Sequence, residues 1–256
     1  MSNELVKKEY KNKIKLINQY NKKYYDDNFS EVSDSEYDNL KEEILLLEKK
    51  YNFLDHKNSP SKNFRKVTHK VPMHSLSNAF TQDDLENFFK KIMNYLHLDK
   101  SNIIEFSAEP KIDGISASLI YKKGKFMTGL SRGDGKEGED ITENLRTIYD
   151  IPKVIKDKNF PEEIDIRGEV FIQNNDFKKL SNKFSNPRNA ASGSLRQKDS
   201  NETKRIPLKF IAYAYGYEKG LEASAQEVFL TNLKKWGFKT NPFNKIFNNI
   251  DDLLLN

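Results

Sequence analysis

Apolar residues recur at helical spacing in two stretches near the start of the chain. They fall at three- and four-residue intervals from Val6 to Tyr20, and again from Tyr37 to Leu47. Asp34 and Ser35 are suitable helix caps for the second stretch. Because only the polar residues 26–34 separate the two stretches, the pattern predicts two helices joined as a hairpin.

From about Val71 onward the pattern changes to short apolar runs that are typical of strands. These runs lie at residues 103–109, 115–121, 125–131, 164–172 and 208–217. Gly114 and the Lys123–Gly124 pair predict turns between neighbouring runs. Helical spacing returns at residues 83–96, 140–147, 175–184 and 223–236. Adjacent strands with interspersed helices predict an α+β fold with mainly antiparallel sheets.

Composition excludes several classes of protein. The chain has 256 residues, of which 36% are hydrophobic and 32% charged, and no apolar run approaches the roughly 18–20 residues that span a bilayer. The N-terminal residues contain no apolar signal-peptide segment. The absence of cysteine excludes disulfides and thiolate zinc sites within the chain. We therefore expect a cytoplasmic protein that does not contact a membrane.

The basic residues are unevenly distributed along the chain. The net charge is +5, yet residues 177–209 contain nine Lys or Arg against two acids and so carry +7. The remainder of the chain is therefore slightly acidic. Such a cluster suits a polyanion such as nucleic acid, and a solvated lysine-rich surface is the alternative interpretation.

One short segment places a lysine between two carboxylates. In the sequence E-P-K-I-D-G of residues 109–114, Glu109, Lys111 and Asp113 would share one side if the strand continued, and Gly114 would allow a sharp turn. The lysine is either part of an exposed ion pair, worth about 0–1 kcal/mol, or a nucleophile held in a site. The short pattern alone leaves both open.

Residues 111–114 also resemble the K-x-D-G signature of the covalent nucleotidyltransferases, which include DNA ligases, RNA ligases and capping enzymes. Longer blocks at residues 72–78, 129–148, 167–170 and 186–197 resemble the NAD-dependent, bacterial-type DNA ligases in particular, and they occur in that family's order. The resemblance extends from about Tyr20 to the C-terminus. It implies a helical NMN-binding domain over residues 1–66 and an adenylation (nucleotidyltransferase) domain with the ATP-grasp-like ligase fold over residues 67–256.

The resemblance also implies a reaction and its partners. In that family a lysine attacks NAD to form AMP-lysine and releases NMN, and the AMP then passes to the 5′-phosphate of nicked double-stranded DNA, which is sealed in replication and repair. NAD and Mg²⁺ are the implied cofactors, and a monomer is expected. We expect the metal to be held largely through phosphates and water, because the sequence contains no dense cage of carboxylates.

Matched positions assign roles to individual residues. Lys111 is the nucleophile, and Asp113 is the carboxylate that contacts the AMP ribose or assists the metal-linked chemistry. The NMN half of NAD is contacted from the hairpin by Tyr24, Tyr25, Asp34, Tyr37 and Asp38. The adenylate is contacted by Ser75, Leu76, Glu109 (adenine amino group), Arg132 (ribose and phosphates), Glu169 (ribose hydroxyl) and Tyr213 (adenine stacking). Nicked DNA is contacted by Arg188 and Arg196.

Three assignments have ordinary structural alternatives: Tyr37 as a packing residue of the hairpin, Asp34 as a helix cap only, and Tyr213 as a core aromatic. The family pattern also continues beyond residue 256 to a D-G-V-V-x-K strand that carries a further lysine. We therefore expect an adenylation domain that is truncated at its C-terminus and that does not complete nick sealing alone. A non-catalytic NAD- or DNA-binding module and an ATP-dependent relative are the alternatives, and the hairpin argues against the second.

Overall fold

The computed structural model describes residues 3–26, 34–51, 54, 64–99, 102–180, 182, 184 and 186–254. Its N-terminal part is a pair of helices, α1 (Asn3–Asp26) and α2 (Asp34–Lys50). One face of each helix is buried in a small apolar cluster formed by Val6, Tyr10, Ile14, Ile17, Leu40, Ile44 and Leu54. The buried Tyr10 hydroxyl donates to Glu48 Oε1 across the helix pair at 2.6 Å. The predicted helical hairpin is therefore confirmed at the level of its two helices.

The rest of the described chain combines antiparallel strands with short helices. The strands are β1 (Lys66–Thr68), β2 (Phe106–Ala108), β3 (Ile115–Lys122), β4 (Lys125–Ser131), β5 (Glu137–Glu139), β6 (Glu163–Phe171), β7 (Lys209–Lys219) and β8 (Lys245–Phe247). The helices are α3 (Gln82–Tyr95), α4 (Thr142–Leu145), α5 (Asn174–Phe177), α6 (Pro187–Leu195), α7 (Ser200–Lys204), α8 (Gln226–Lys235) and α9 (Ile250–Leu254). The α+β fold with antiparallel sheets is thus confirmed.

A four-stranded antiparallel sheet in the order β4-β3-β6-β7 is the centre of this part. The predicted turn at Lys123–Gly124 between β3 and β4 is present, and both residues have positive φ. Aromatic rings pack against one another beside the sheet, with Tyr121 contacting Phe126, Phe160 and Phe238 at centroid distances of 5.4–5.9 Å. Burial of these large rings stabilises the sheet together with the aliphatic side chains of the same core.

Two further sheets have only two strands each. Strand β1 pairs with β5, and β2 pairs with β8, both antiparallel. The β2 strand is shorter than the predicted run 103–109, because its three-residue partner ends the ladder at Ala108 and Pro110 has no N–H to donate. The strand therefore stops before the Glu109–Asp113 segment.

Two predicted helices are also shorter than expected. The run 140–147 is helical only over α4, because Asp140 bridges to Leu130 and its carboxylate accepts from the Thr142 backbone N–H at 3.2 Å. The Asp140 side chain therefore competes with an earlier helix start. In the run 175–184, the described residues are helical only over α5. No described helix is long and apolar enough to span a membrane.

Candidate functional site

Lys111 lies in an irregular segment between β2 and β3. Residues 109–113 have no regular secondary structure, and the Lys111 and Asp113 side chains are exposed. The buried Asn241 side chain donates through Nδ2 to the Pro110 carbonyl at 3.2 Å, which anchors the segment from the C-terminal part of the chain. The strand that would have placed Glu109, Lys111 and Asp113 on one side therefore does not continue through this segment. The segment is instead a loop that is supported by a residue distant in the sequence.

Gly114 ends this loop at a point where β6 lies very close to the backbone. A Cβ atom at this position would lie 2.3 Å from the Val170 carbonyl oxygen and 2.9 Å from Glu169 Cγ. Any side chain would therefore push the loop away from β6. The glycine of the K-x-D-G segment fixes how near Lys111 lies to the strand that carries Glu169.

Glu169 is a buried carboxylate on β6. Its register partner on β3 is Ser116, and the Ser116 hydroxyl donates to Glu169 Oε2 at 2.9 Å. Burial raises the Glu169 pKa to about 7, and the Ser116 hydrogen bond and the positive charges of Arg188, Lys111 and Arg132 oppose that shift. The site therefore holds a carboxyl group that titrates near neutral pH, with three cationic side chains in its electrostatic surroundings.

The Glu169 pKa predicts a pH dependence of stability. Because the folded carboxyl keeps its proton at pH values where the unfolded one has lost it, the free energy of unfolding should fall as pH rises from about 4.5 to about 7. Glu169→Gln removes this loss, and we expect it to be more stable than the parent above pH 7 by about 1–3 kcal/mol. Urea unfolding at pH 5 and pH 8 measures the effect, with the exposed Glu105→Gln as control. Parallel pH profiles for parent and Glu169→Gln would contradict the prediction.

Arg188 contacts the Lys111 loop. Its Nη1 donates to Asp113 Oδ1 at 3.1 Å, and the arginine side chain is 24% exposed against 76% for the aspartate. Arg188 is the second residue of α6, whose N-cap Asn186 accepts from the Asn189 N–H at 2.8 Å. Pro187 at the first helical position also favours this start. The structure therefore places Arg188 in contact with the loop that carries the predicted nucleophile.

Arg196, at the other end of α6, lies against a different element. Its Nε is 3.0 Å from Oε2 of Glu139, which is 10% exposed, and the arginine side chain itself is 46% exposed. Another basic residue of the stretch, Arg205, pairs with Glu202 at 2.7 Å. Glu202 is already counted in the local +7, whereas Glu139 and Asp113 lie outside the stretch and so offset part of that charge in the folded chain.

Tyr213 lies on β7 at an irregularity of the sheet. Its neighbours Ala212 and Ala214 pair with Gly168 and Arg167 of β6, so Tyr213 has no cross-strand partner in the described ladder. Burial raises the pKa of the Tyr213 hydroxyl, the negative charge of Glu169 adds to the shift, and a hydrogen bond with Ser116 opposes it. Such β-bulges redirect side chains next to functional sites, and here the bulge carries the ring assigned to adenine.

Arg132 follows β4 in a turn whose glycines Gly133 and Gly135 have positive φ. The Arg132 carbonyl accepts from the buried His69 Nε2 at 3.2 Å. The Gly135 carbonyl accepts from the Met73 N–H at 2.8 Å, and a Cβ at Gly135 would lie 2.8 Å from the Met73 carbonyl oxygen. This turn therefore holds the segment that leads to the adenine-pocket candidates.

Those two candidates, Ser75 and Leu76, lie in the irregular stretch between β1 and α3. Ser75 is half-buried, whereas 75% of Leu76 is exposed. Their family role involves the backbone, so exposure of the Leu76 side chain is compatible with it.

Arg167, which the sequence analysis did not single out, holds the start of the same stretch. Its guanidinium donates to the Val71 carbonyl and, at 3.1 Å, to the Pro72 carbonyl, while it pairs with the buried Asp165 at 3.1 Å. Asp165 also accepts from the Ser118 hydroxyl at 2.5 Å. The segment is thus tied to β6 on one side and to the Gly135 turn on the other.

Some predicted positions lie outside the described residues. The backbones of Tyr24 and Tyr25 belong to α1, and those of Asp34, Tyr37 and Asp38 belong to α2. The side chains of these five residues are not among those that the structure describes. The polar stretch 58–66, which we expect to act as a hinge between the helical part and the rest of the chain, is described only from residue 64 onward. Among the described residues, no group of three or more His, Cys, Asp or Glu side chains is placed to hold a metal ion.

Two family models match the chain. One, described as NAD-dependent DNA ligase adenylation domain, matches residues 61–256, and the other, DNA ligase-like, N-terminal NAD+-binding domain, matches residues 3–64. The DNA ligase of Pelagibacter ubique is 61% identical, with 100% of this chain and 39% of the relative covered. Those of Parvibaculum lavamentivorans and Rickettsia bellii are 45% and 44% identical, covering 88% and 93% of this chain. The chain spans only 34–39% of the length of these curated relatives.

Proposed function

Because the chain belongs to the NAD-dependent DNA ligase family, we propose that it is the nucleotide-binding part of such a ligase and that NAD adenylates Lys111. One observation carries this proposal. The Lys111 loop is held against β6 by Gly114, beside the buried Glu169 and the guanidinium of Arg188. An exposed amine with fixed cations and a carboxylate nearby suits phosphoryl transfer to nitrogen.

The proposed step is a displacement at the α-phosphorus of NAD. The neutral Lys111 Nζ attacks with its lone pair and forms a P–N bond, while the P–O bond to the NMN phosphate breaks. NMN leaves with the electron pair on its oxygen, and Nζ releases a proton to solvent or to a nearby base. Negative charge grows on the phosphoryl oxygens during this step, so the Arg188 and Arg132 guanidiniums should stabilise the transition state.

The remaining adenylate contacts follow from matched position and surroundings. Tyr213 would stack on adenine, and Glu109 would accept from its amino group. Glu169 would accept from a ribose hydroxyl, with Ser116 donating to its other side. Asp113 would contact ribose or assist the metal-linked chemistry. Backbone groups of Ser75 and Leu76 would complete the adenine pocket.

The N-terminal helices would bind the NMN half of NAD. We infer this role from the family of the matching N-terminal model, whose description names NAD+. Aromatic faces can stack on the nicotinamide ring, and carboxylates can accept ribose hydroxyl bonds. The proposed contacts are Tyr24, Tyr25, Asp34, Tyr37 and Asp38.

Mg²⁺ is the proposed metal, since phosphoryl transfer needs neutralisation of charge. The described residues offer single carboxylates rather than a protein cage, which fits an ion held mainly by phosphates and water. Asp113, with 76% of its side chain exposed, is the residue that would hold it through water. Bound there, the ion would supply charge neutralisation at the phosphates.

We propose that the AMP then passes to the 5′-phosphate of nicked double-stranded DNA. The basic stretch 177–209 would bind the DNA phosphates, with Arg188 and Arg196 as planar, bidentate donors. We also propose that the protein acts as a monomer in the cytoplasm, where nicked chromosomal DNA lies.

DNA binding should depend strongly on salt. Each neutralised phosphate contributes about −0.9 to the slope of log K against log salt, so we expect Arg196→Met to reduce the slope by about one. Lys125→Met, which removes an exposed lysine outside the basic stretch, is the charge-matched control. Fluorescence anisotropy with a nicked duplex at 50–200 mM salt, concentrations over which such slopes are resolved, measures both. A binding constant that barely changes over this interval would overturn the DNA assignment.

Transfer of label from NAD tests the proposed activity directly. The chain is incubated with Mg²⁺ and NAD carrying a radioactive α-phosphate in its adenylate half, and labelled ATP is run in parallel. Acid-labile covalent label from NAD and none from ATP is the expected result. Label from ATP alone would favour an ATP-dependent relative, and no label from either would favour a non-catalytic binding module.

A further inference from the structure

Gln226 joins the two residues that are proposed to recognise adenine. It is the first residue of α8 and is half-buried. Its Nε2 donates to Glu109 Oε1 at 2.9 Å and to the Tyr213 carbonyl at 2.6 Å. Because a primary amide carries two N–H groups on one nitrogen, it can make both bonds at once.

The Tyr213 carbonyl is available to Gln226 because of the bulge in β7. Tyr213 has no cross-strand partner on β6, whereas Ala212 and Ala214 on either side of it are paired. A carbonyl left out of the ladder in a half-buried site needs another donor. Gln226 supplies that donor and so fixes the peptide group that carries the aromatic ring.

Glu109 receives its donors on one oxygen. Both Gln226 Nε2, at 2.9 Å, and the Ser107 hydroxyl, at 3.3 Å, donate to Oε1. Within the part of the chain that the structure describes, no hydrogen bond to Oε2 is found. A carboxylate held by one oxygen keeps its orientation and presents the other oxygen as an acceptor for a ligand N–H.

We propose that Gln226 is a positioning residue that makes the site selective for a purine with an exocyclic amine, by holding Glu109 Oε1 so that Oε2 accepts from that amine. The inference rests on the proposed function, in which adenine lies between Glu109 and Tyr213. An ionised carboxylate only accepts hydrogen bonds, so it favours the 6-amino group of adenine and disfavours the 6-oxo group of hypoxanthine. Without the Gln226 donor, Glu109 can turn and this discrimination weakens.

A purely structural role for Gln226 predicts something different. If the amide only ties α8 to β7, its loss should weaken every dinucleotide to the same extent. Discrimination between two bases is therefore the informative readout. NAD and nicotinamide hypoxanthine dinucleotide differ only on the edge of the purine that Glu109 would read: the 6-amino group becomes a 6-oxo group, and N1 gains a proton.

Calorimetric titration of these two dinucleotides tests the proposal. The full chain carrying Lys111→Ala is used as the parent, because it cannot react and the readout is then binding alone. We expect NAD to bind about tenfold more tightly than the hypoxanthine analogue, the size of one well-placed hydrogen bond to a charged group. Methionine has a shape similar to glutamine but no donor. Adding Gln226→Met should therefore weaken the binding of NAD and bring the ratio of the two dissociation constants close to one.

Two further variants test whether the loss of preference is due to the Gln226 donor itself. Gln226→Glu keeps the size of the side chain and suits the first turn of a helix, yet it presents an acceptor to Glu109, so it should also lose the preference. Asn232 lies on the same helix, and Asn232→Ala removes its side-chain hydrogen bond to the Glu222 carbonyl. This variant should leave the ratio of the two dissociation constants unchanged. Equal losses for both dinucleotides, or an unchanged ratio in both Gln226 variants, would overturn the proposal.

The proposed function and this inference can fail separately. If the native chain forms no AMP-lysine while the Lys111→Ala chain shows a Gln226-dependent preference, the activity is wrong and the base selectivity stands. If the native chain is adenylated while the ratio of the two dissociation constants is the same with and without Gln226, the activity stands and the positioning role is wrong.

Discussion

Lys111→Ala should abolish covalent labelling by NAD. Lys111 carries the primary amine of the 109–113 loop, and the delocalised guanidinium of Arg188, which contacts the loop, is a poor nucleophile and cannot replace it. The side chain is exposed, so its removal should leave the free energy of unfolding within about 0.5 kcal/mol of the parent. Gel autoradiography after incubation with adenylate-labelled NAD measures the loss.

The control for this experiment is Lys125→Ala. Lys125 is an exposed lysine at the start of β4, away from the loop that carries Lys111. It should keep the full label. Label that persists in Lys111→Ala, or is lost equally in Lys125→Ala, would contradict the assignment of the nucleophile.

Arg167→Met should destabilise the protein by about 3–5 kcal/mol, the range for removing one partner of a buried ion pair. Arg167 and Asp165 have side chains that are 12% and 7% exposed, so the variant leaves a buried carboxylate with the Ser118 hydroxyl as its described donor. It also removes the donors to the Val71 and Pro72 carbonyls. Chemical denaturation measures the stability, and nucleotide titration should show weaker binding because the Ser75 segment loses its anchor.

Two variants separate this effect from a general loss of charge. Arg205→Met breaks an exposed pair with Glu202, whose side chains are 72% and 48% exposed, and should cost at most about 1 kcal/mol. Adding Asp165→Asn to Arg167→Met removes the uncompensated charge and should restore part of the stability. Arg167→Met within 1 kcal/mol of the parent would show that the pair is not holding the segment.

Local patterns in the sequence predicted the central elements well. The alternating runs at β3 and β4 and the Lys123–Gly124 turn between them appear in the structure with nearly the same bounds. Both runs are short, rich in apolar residues and separated by a turn signal, so local patterns are sufficient to find them. Strands β1, β5 and β8 were missed because each has only three residues, too few to show a period.

Helix α6 carried a signal that was read only as a family block. Asn186 followed by Pro187 is a cap with a favourable first residue, and the structure begins the helix there. The small residues inside α6 lack the apolar spacing that marked the other helices. Capping chemistry could have found this helix where periodicity could not.

Support for the site came from residues that are distant in sequence. Gln226 contacts Glu109 across 117 positions, and Asn241 contacts Pro110 across 131. Ser116 and Arg167 likewise act on strands or segments far from their own positions. No local pattern marks such residues, because their partners are set by sheet register and by the path of the chain.

Counting charges along the sequence identified the basic stretch but not the acidic residues that pair with it in the fold. The stretch 177–209 is strongly basic as a sequence, but in the fold Arg188 pairs with Asp113 and Arg196 with Glu139. Both partners lie outside the stretch, so a window on the sequence does not include them. The pair with Asp113 also brings Arg188 into contact with the loop that carries Lys111.

Peptide mapping of the chain after incubation with NAD and Mg²⁺ is the most direct test of the central claim. Proteolysis at neutral pH preserves an acid-labile P–N bond, and mass spectrometry then locates the added AMP. We predict one adenylated peptide, containing Lys111, that is formed from NAD and not from ATP. AMP on a different residue, or an unmodified Lys111 peptide from a chain shown to bind NAD, would contradict the account.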